Sequence, residues 1–135
     1  NPVTLGEMLE ATAVRLVVFS TDATAEEFGA AVSVMGLAGV TYSVGWTAWL
    51  DIAAEGVTKA SGLEDLRAKL GHEIDATIAV GDGRNDIEML TWAGRGVAMG
   101  QAPDEVKESA DEVTEGVDQD GLAAVLWGLL ENTES

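Results

Sequence analysis

A chain of 135 residues, 47% of them apolar, is long enough for one domain, or for a small domain joined to part of another, and buries roughly 68% of its unfolded surface without staples. Cysteine is absent, which excludes a disulfide framework and any thiolate metal site, and no apolar run approaches the roughly 20 residues that span a bilayer. Acidic side chains number 24 against 7 basic ones, a net charge of −17, which argues against nucleic acid, whose phosphates need lysine and arginine.

The acidity is spread along the chain rather than gathered into a tail. It reads as a solvated acidic surface, and it also means that an anionic substrate would be held through a metal and a few placed cations; the two readings are compatible. No signal-peptide pattern opens the chain, so a cytoplasmic protein is expected. The first residues are Asn1-Pro2 in place of Met, which reads as processing, truncation or a cut end.

In chain order, Thr4 to Ala11 has helical spacing behind a Thr cap, and Val14 to Phe19 is a β-branched, apolar strand. Thr24 caps a helix through Met35, with early Glu residues and a closing Gly36. Val40 to Val44 and Ala48 to Ala53 read as strands around a tight turn at Gly45-Trp46. Beyond a boundary expected at Glu55-Gly56, Lys59 to Leu70 is a helix closed by Gly71. Ala76 to Val80 follows as a strand, and Asn85 to Ala93 as a helix closed by Gly94. A strand at Gly96 to Met99, a helix over Pro103 to Ser109, a brief strand at Asp111 to Thr114 and a helix from Gly121 to Leu130 complete the pattern, and "ENTES" reads as a frayed tail. Such alternation predicts an α/β fold with a parallel sheet. There is no internal repeat.

The chemistry gathers in "IAVGDGRNDIEML", residues 78–90, where an apolar strand ends at Gly81 and meets Asp82, with Asn85 and Asp86 one helical turn on. Open parallel sheets bind ligands beyond the carboxyl ends of their strands. Mg²⁺ takes oxygen ligands and usually keeps several waters, so one or two carboxylates suffice. The spacing leaves an equal alternative, in which Asp82 or Asn85 caps the helix and Asp86 sits favourably at the positive end of its dipole. Lys59, in "GVTKASGL", stands at a helix start, where a cation opposes the dipole. A lysine aimed at phosphate explains that position better than an exposed lysine on a solvated turn.

Together "GVTKASGLEDLRAKLG", "IAVGDGRNDIEML", "AGRGVAMGQAPDEVKESADEVT" and "DQDGLAAVL" resemble, in order and spacing, the C-terminal half of a haloacid dehalogenase (HAD) superfamily phosphatase of class IIB, Cof-like type. The resemblance is strong over residues 51–126 and looser over 14–50. It implies the C-terminal part of an α/β cap at residues 1–55 and, at 56–135, the C-terminal half of a Rossmann-like parallel-sheet core. It implies a Mg²⁺-dependent phosphomonoesterase acting on a small phosphorylated metabolite such as a sugar phosphate. Lys59 matches the lysine that stabilises nucleophile and phosphoryl group, Asp82 the Mg²⁺ ligand, Asp86 the second acid that supports the metal and its waters, and Asn85 a residue that helps to hold phosphate.

The family's first motif, of the form D-x-D-G-T after an apolar strand, supplies an aspartate nucleophile and a general acid/base. These residues offer no such motif. "VVFSTDAT", residues 17–24, imitates it with Ser20, Asp22 and Thr24, yet a serine there needs a base to be activated, and "TAWLDIAAEGVTK" has the order of a cap running into the lysine motif. Residues 14–54 are therefore read as cap, with Thr24 a helix cap. Ser43, mid-strand, is a poor second motif. The chain reads as a phosphatase lacking its N-terminal portion, which would leave the Asp82 strand with an unpaired edge open to self-association or another chain. The competing reading is a non-catalytic module that binds Mg²⁺ or a phosphorylated ligand, or is completed by a partner. Trp46 and Trp49 are the cap residues nearest a substrate, with cap-core packing as the favoured alternative. His72 reads as a solvent-exposed residue after a helix, and Met8, Met35, Met89 and Met99 as core fillers.

Overall fold

A computed structural model of the chain describes residues 3–10, 12–44 and 48–133, which fall into two compact units, residues 1–56 and 57–135. The first holds α1 (Leu5–Glu10), β1 (Arg15–Phe19), α2 (Ala25–Met35), β2 (Val40–Val44) and β3 (Trp49–Ala54). The second holds α3 (Lys59–Leu70), β4 (Ile78–Gly81), α4 (Ile87–Trp92), β5 (Arg95–Ala98), α5 (Asp104–Glu108), β6 (Glu112–Val113) and α6 (Gly121–Thr133). Among the described residues no helix is long and apolar enough to cross a membrane.

In the first unit the sheet order is β1-β3-β2, both pairs antiparallel, with Val17 opposite Asp51 and Ser43 opposite Asp51 on the other side. Strands β2 and β3 follow one another without a crossover helix, which leaves only antiparallel pairing, and β3 inserts between β1 and β2, the two strands joined through α2. Helix α2 forms where expected. The Thr24 hydroxyl accepts from the Glu27 backbone N–H while the Glu27 carboxylate accepts from the Thr24 N–H at 3.0 Å, and Gly36 closes the helix at φ 61°. Val32 and Leu50 are buried at the heart of this unit, whereas all of β1 is exposed. Arg15 spans β1 and β3 through a two-pronged pair with Asp51, at 2.6 and 2.5 Å. The expected turn at Gly45-Trp46 lies outside the described residues.

In the second unit β4, β5 and β6 form a parallel sheet in that order, with Gly81 opposite Ala98 and Ala98 opposite Val113. Its core is Ala79, Leu90, Ala93, Ala98, Ala102 and Val106, with Ile87, Met89 and Trp92 packed around it. The small residues let helix and strand approach closely. A Cβ on Gly96 of β5 would stand 2.2 Å from the Leu90 carbonyl oxygen of α4. Helix α3 starts with a second reciprocal cap, Thr58 with Ser61, and ends at Gly71 in the left-handed conformation.

Several boundaries move. The strand expected from Ala76 begins at Ile78, because Ile74–Ala76 forms a 3₁₀ turn whose Ile74 carbonyl takes both the Thr77 N–H and its hydroxyl. The helix expected from Asn85 opens with a 3₁₀ turn, Arg84–Asp86, and becomes α-helical at Ile87. The last helix continues to Thr133, so residues 131–133 are helix rather than tail: nothing in Glu131-Asn132-Thr133 breaks the hydrogen-bond ladder. Met99 is buried and Met89 packs on the core, but Met8 and Met35 are exposed, Met35 at the open last turn of α2, so neither fills a core.

Candidate active site

The site is built at the carboxyl end of β4. The strand stops at Gly81, whose carbonyl takes the Met99 N–H at 2.9 Å, and the chain turns through Asp82 and Gly83 into the 3₁₀ turn. Asp86, 5% exposed, holds that turn together from within. Its Oδ2 accepts the backbone N–H groups of Asp82 at 3.0 Å and Gly83 at 2.9 Å, and its Oδ1 accepts the ammonium of Lys59. Both oxygens are thus spent on the protein. The arrangement needs glycine at 81, since a Cβ there would lie 2.6–2.8 Å from the Asp86 side chain.

Lys59 is the first residue of α3, placed there by the Thr58 cap, and Asp86 supplies the negative charge that the helix terminus lacks. Its side chain stays about half exposed (48%), while that of Asp86 is buried. Asp82 is half-buried; its Oδ2 accepts from the Gln101 side-chain amide at 2.9 Å, and its Oδ1 accepts no hydrogen bond among the described residues. Asn85 is exposed, its Oδ1 lying over Gly83, and Arg84 beside it pairs with Glu105 of α5. The structure therefore brings Lys59 of α3 up to the loop that carries Asp82 and Asp86, with Asn85 on its outer face.

The oxygen donors suit a hard cation. Asp82 offers one free carboxylate oxygen at a strand end, enough for Mg²⁺, which is usually held by one or two carboxylates with water and substrate oxygens. Among the described residues no three His, Cys, Asp or Glu side chains converge to form a complete protein cage. Sequence reasoning passed over Gln101, the residue that fixes Asp82; a neutral amide three positions beyond a strand carries no local signal, and only the β4–β5 pairing brings it alongside.

The other candidates lie elsewhere. Ser20 accepts the Ala23 N–H at 3.2 Å in the turn before α2, and β1, which leads to it, belongs to the antiparallel sheet rather than to that of β4. His72 is exposed and gives its carbonyl to Arg67 at the end of α3. Trp49, the first residue of β3, stands opposite Phe19 of β1, and Trp46 lies outside the described residues.

A family model for haloacid dehalogenase-like hydrolases matches residues 9–126. The chain is 43% identical over 77 residues to the 5-amino-6-(5-phospho-D-ribitylamino)uracil phosphatase YcsE of Bacillus subtilis, covering 57% of this chain and 31% of that protein. Its fold is similar to that of the HAD subclass IIB sugar phosphatase BT4131, with a TM-score of 0.81 and 31% identity over 94% of this chain and 47% of that one. It is also similar to BT1666 from Bacteroides thetaiotaomicron, one of the phosphatases of the haloalkanoate enzyme superfamily, with a TM-score of 0.76 and 34% identity over 93% and 46% of the two chains. The chain thus spans just under half the length of these solved structures and about a third of the curated relative.

Proposed function

Because the chain belongs to the haloacid dehalogenase-like hydrolases, we propose that it carries the lysine and metal-binding half of a Mg²⁺-dependent phosphomonoesterase for a small phosphorylated metabolite such as a sugar phosphate. Residues 56–135 are read as core and 1–55 as the end of a cap. The observation that carries this reading is the buried carboxylate of Asp86, which fixes Lys59 and the Asp82 loop at one strand end. The sugar phosphatase named for one similar structure supports the substrate class.

Asp82 would hold Mg²⁺ through its free oxygen, with Asp86 supporting the loop from behind; bound there, the ion neutralises charge on the phosphoryl oxygens. Lys59 places a second positive charge for those oxygens, already oriented by Asp86, so that no reorganisation is needed as charge builds. Asn85 offers amide donors from the outer face. The attacking aspartate is assigned to a segment outside these 135 residues. Strand β4 pairs with β5 alone among the described residues, so its other edge is open to the strand that would bring it. A second copy pairing through that edge is the alternative occupant, and would show as a dimer in solution.

The test is Mg²⁺-dependent phosphate release from sugar phosphates by the native polypeptide that carries these residues, after its intact mass has been measured. Lys59→Met and Asp82→Asn should each lower turnover roughly 10²–10³-fold. Binding of phosphorylated ligand or Mg²⁺ with no turnover would instead favour the non-catalytic module.

A further inference from the structure

We infer that Gln101 is the positioning residue for the Asp82 carboxylate, selecting which of its two oxygens faces a bound cation; this rests on the reading of Asp82 as the metal ligand. Gln101 bridges two elements: its Nε2 donates to Asp82 Oδ2 at 2.9 Å, and its Oε1 accepts the Val117 backbone N–H at 3.0 Å. A backbone N–H can only donate and a carboxylate only accept, so the two partners fix the orientation of the amide without ambiguity. One carboxylate oxygen is therefore held away from the cation, and Oδ1 is left as a single, directed ligand.

The bridge is itself anchored. Gly100 donates its N–H to the Glu115 carbonyl at 3.1 Å, and a Cβ on Gly100 would meet the Gly116 nitrogen at 2.7 Å, so the loops bearing Gln101 and Val117 run in close contact. A Cβ on Gly116 would stand in ordinary contact with Gln101 Oε1, at 3.6 Å, and would displace only the end of the Gln119 side chain, at 2.8 Å. Being neutral, the amide orients Asp82 without cancelling the charge that a cation seeks, as lysine or arginine would. Partners behind a metal ligand commonly set affinity by 10- to 100-fold.

The test uses Mn²⁺ as the probe, its free fraction read by electron paramagnetic resonance with the native polypeptide. Gln101→Leu should weaken Mn²⁺ binding 10- to 100-fold, while Asp82→Asn abolishes the site and the thermal midpoint without metal changes little in either variant. If Gln101→Leu fails to fold, Gln101→Asn, still an amide but too short to span both partners, should show the same weakening. Wild-type affinity in the folded Gln101 variant, with binding lost in Asp82→Asn, overturns the positioning role and leaves the metal reading standing. Wild-type affinity in Asp82→Asn overturns both.

Discussion

Asp86 shows how one carboxylate can have a structural task on each oxygen. Two backbone N–H groups and an ammonium converge on it, and burial makes each of those bonds costly to lose. In Asp86→Asn the side chain keeps its shape but has one acceptor oxygen, so it cannot satisfy both the loop and Lys59. We expect a loss of about 1–3 kcal/mol in chemical denaturation, together with sharper exchange broadening of the Lys59 ammonium signal. A variant as stable as the wild type, with Lys59 unmoved, would mean that the loop is held by its glycines and not by Asp86. Gly81 and Gly96 differ in the same physical terms: a methyl at 81 meets a side chain, while one at 96 meets the α4 backbone, which has nowhere to go.

Between elements, α3 and α4 are tied by a polar network. Glu64 accepts two bonds from the Arg67 guanidinium, at 2.8 and 2.7 Å, and one from the Trp92 indole N–H at 2.9 Å. Arg67 first, and then Trp92, hold the Glu64 carboxyl at about 2, against an ordinary 4.5. A depressed folded value means that the contribution is whole above the unfolded value near 4.5 and fades as pH falls toward 2. The Trp92 indole proton resonance should therefore shift, and stability should decline, between those two values. In Glu64→Gln that part of the acid dependence should vanish. An identical acid profile in the variant would place the sensitivity elsewhere. The network was not foreseen, because Trp92 and Glu64 are 28 residues apart and neither sits in a motif.

For the molecule as a whole, charge is the dominant feature. Among the described residues, five of the seven basic side chains sit in ion pairs, with Asp51, Asp86, Glu64, Glu105 and Glu112, and the acids outnumber the bases 24 to 7. Self-repulsion should therefore cost stability at low ionic strength. The thermal midpoint is expected to rise as salt increases from about 0.01 to about 0.1 M, over which the screening length shrinks from roughly 30 to 10 Å. A midpoint that falls instead would show that the five pairs outweigh the repulsion.

The sequence alone determined what depends on near neighbours. The caps at Thr24 and Thr58, the closing glycines at 36 and 71, and the strand-loop-helix around Asp82 are local, because their bonds join residues three or four positions apart. Lys59, Asp82, Asn85 and Asp86 were singled out from short motifs in fixed order, and the meeting of Lys59 with Asp86 across 27 positions came from the fold. Tertiary structure decided the rest. The antiparallel order β1-β3-β2 depends on which strand inserts between two others, and no period in the sequence records that. The division of labour between the two aspartates followed only when β4 met β5 and α3: Asp86 turned inward to Lys59 and the loop, and Asp82 turned to Gln101 with one oxygen free. Spacing puts both carboxylates at a strand end, but a carboxylate's role is set by the donors packed around it, and here Gln101 stands 19 positions from Asp82 and Lys59 stands 27 from Asp86.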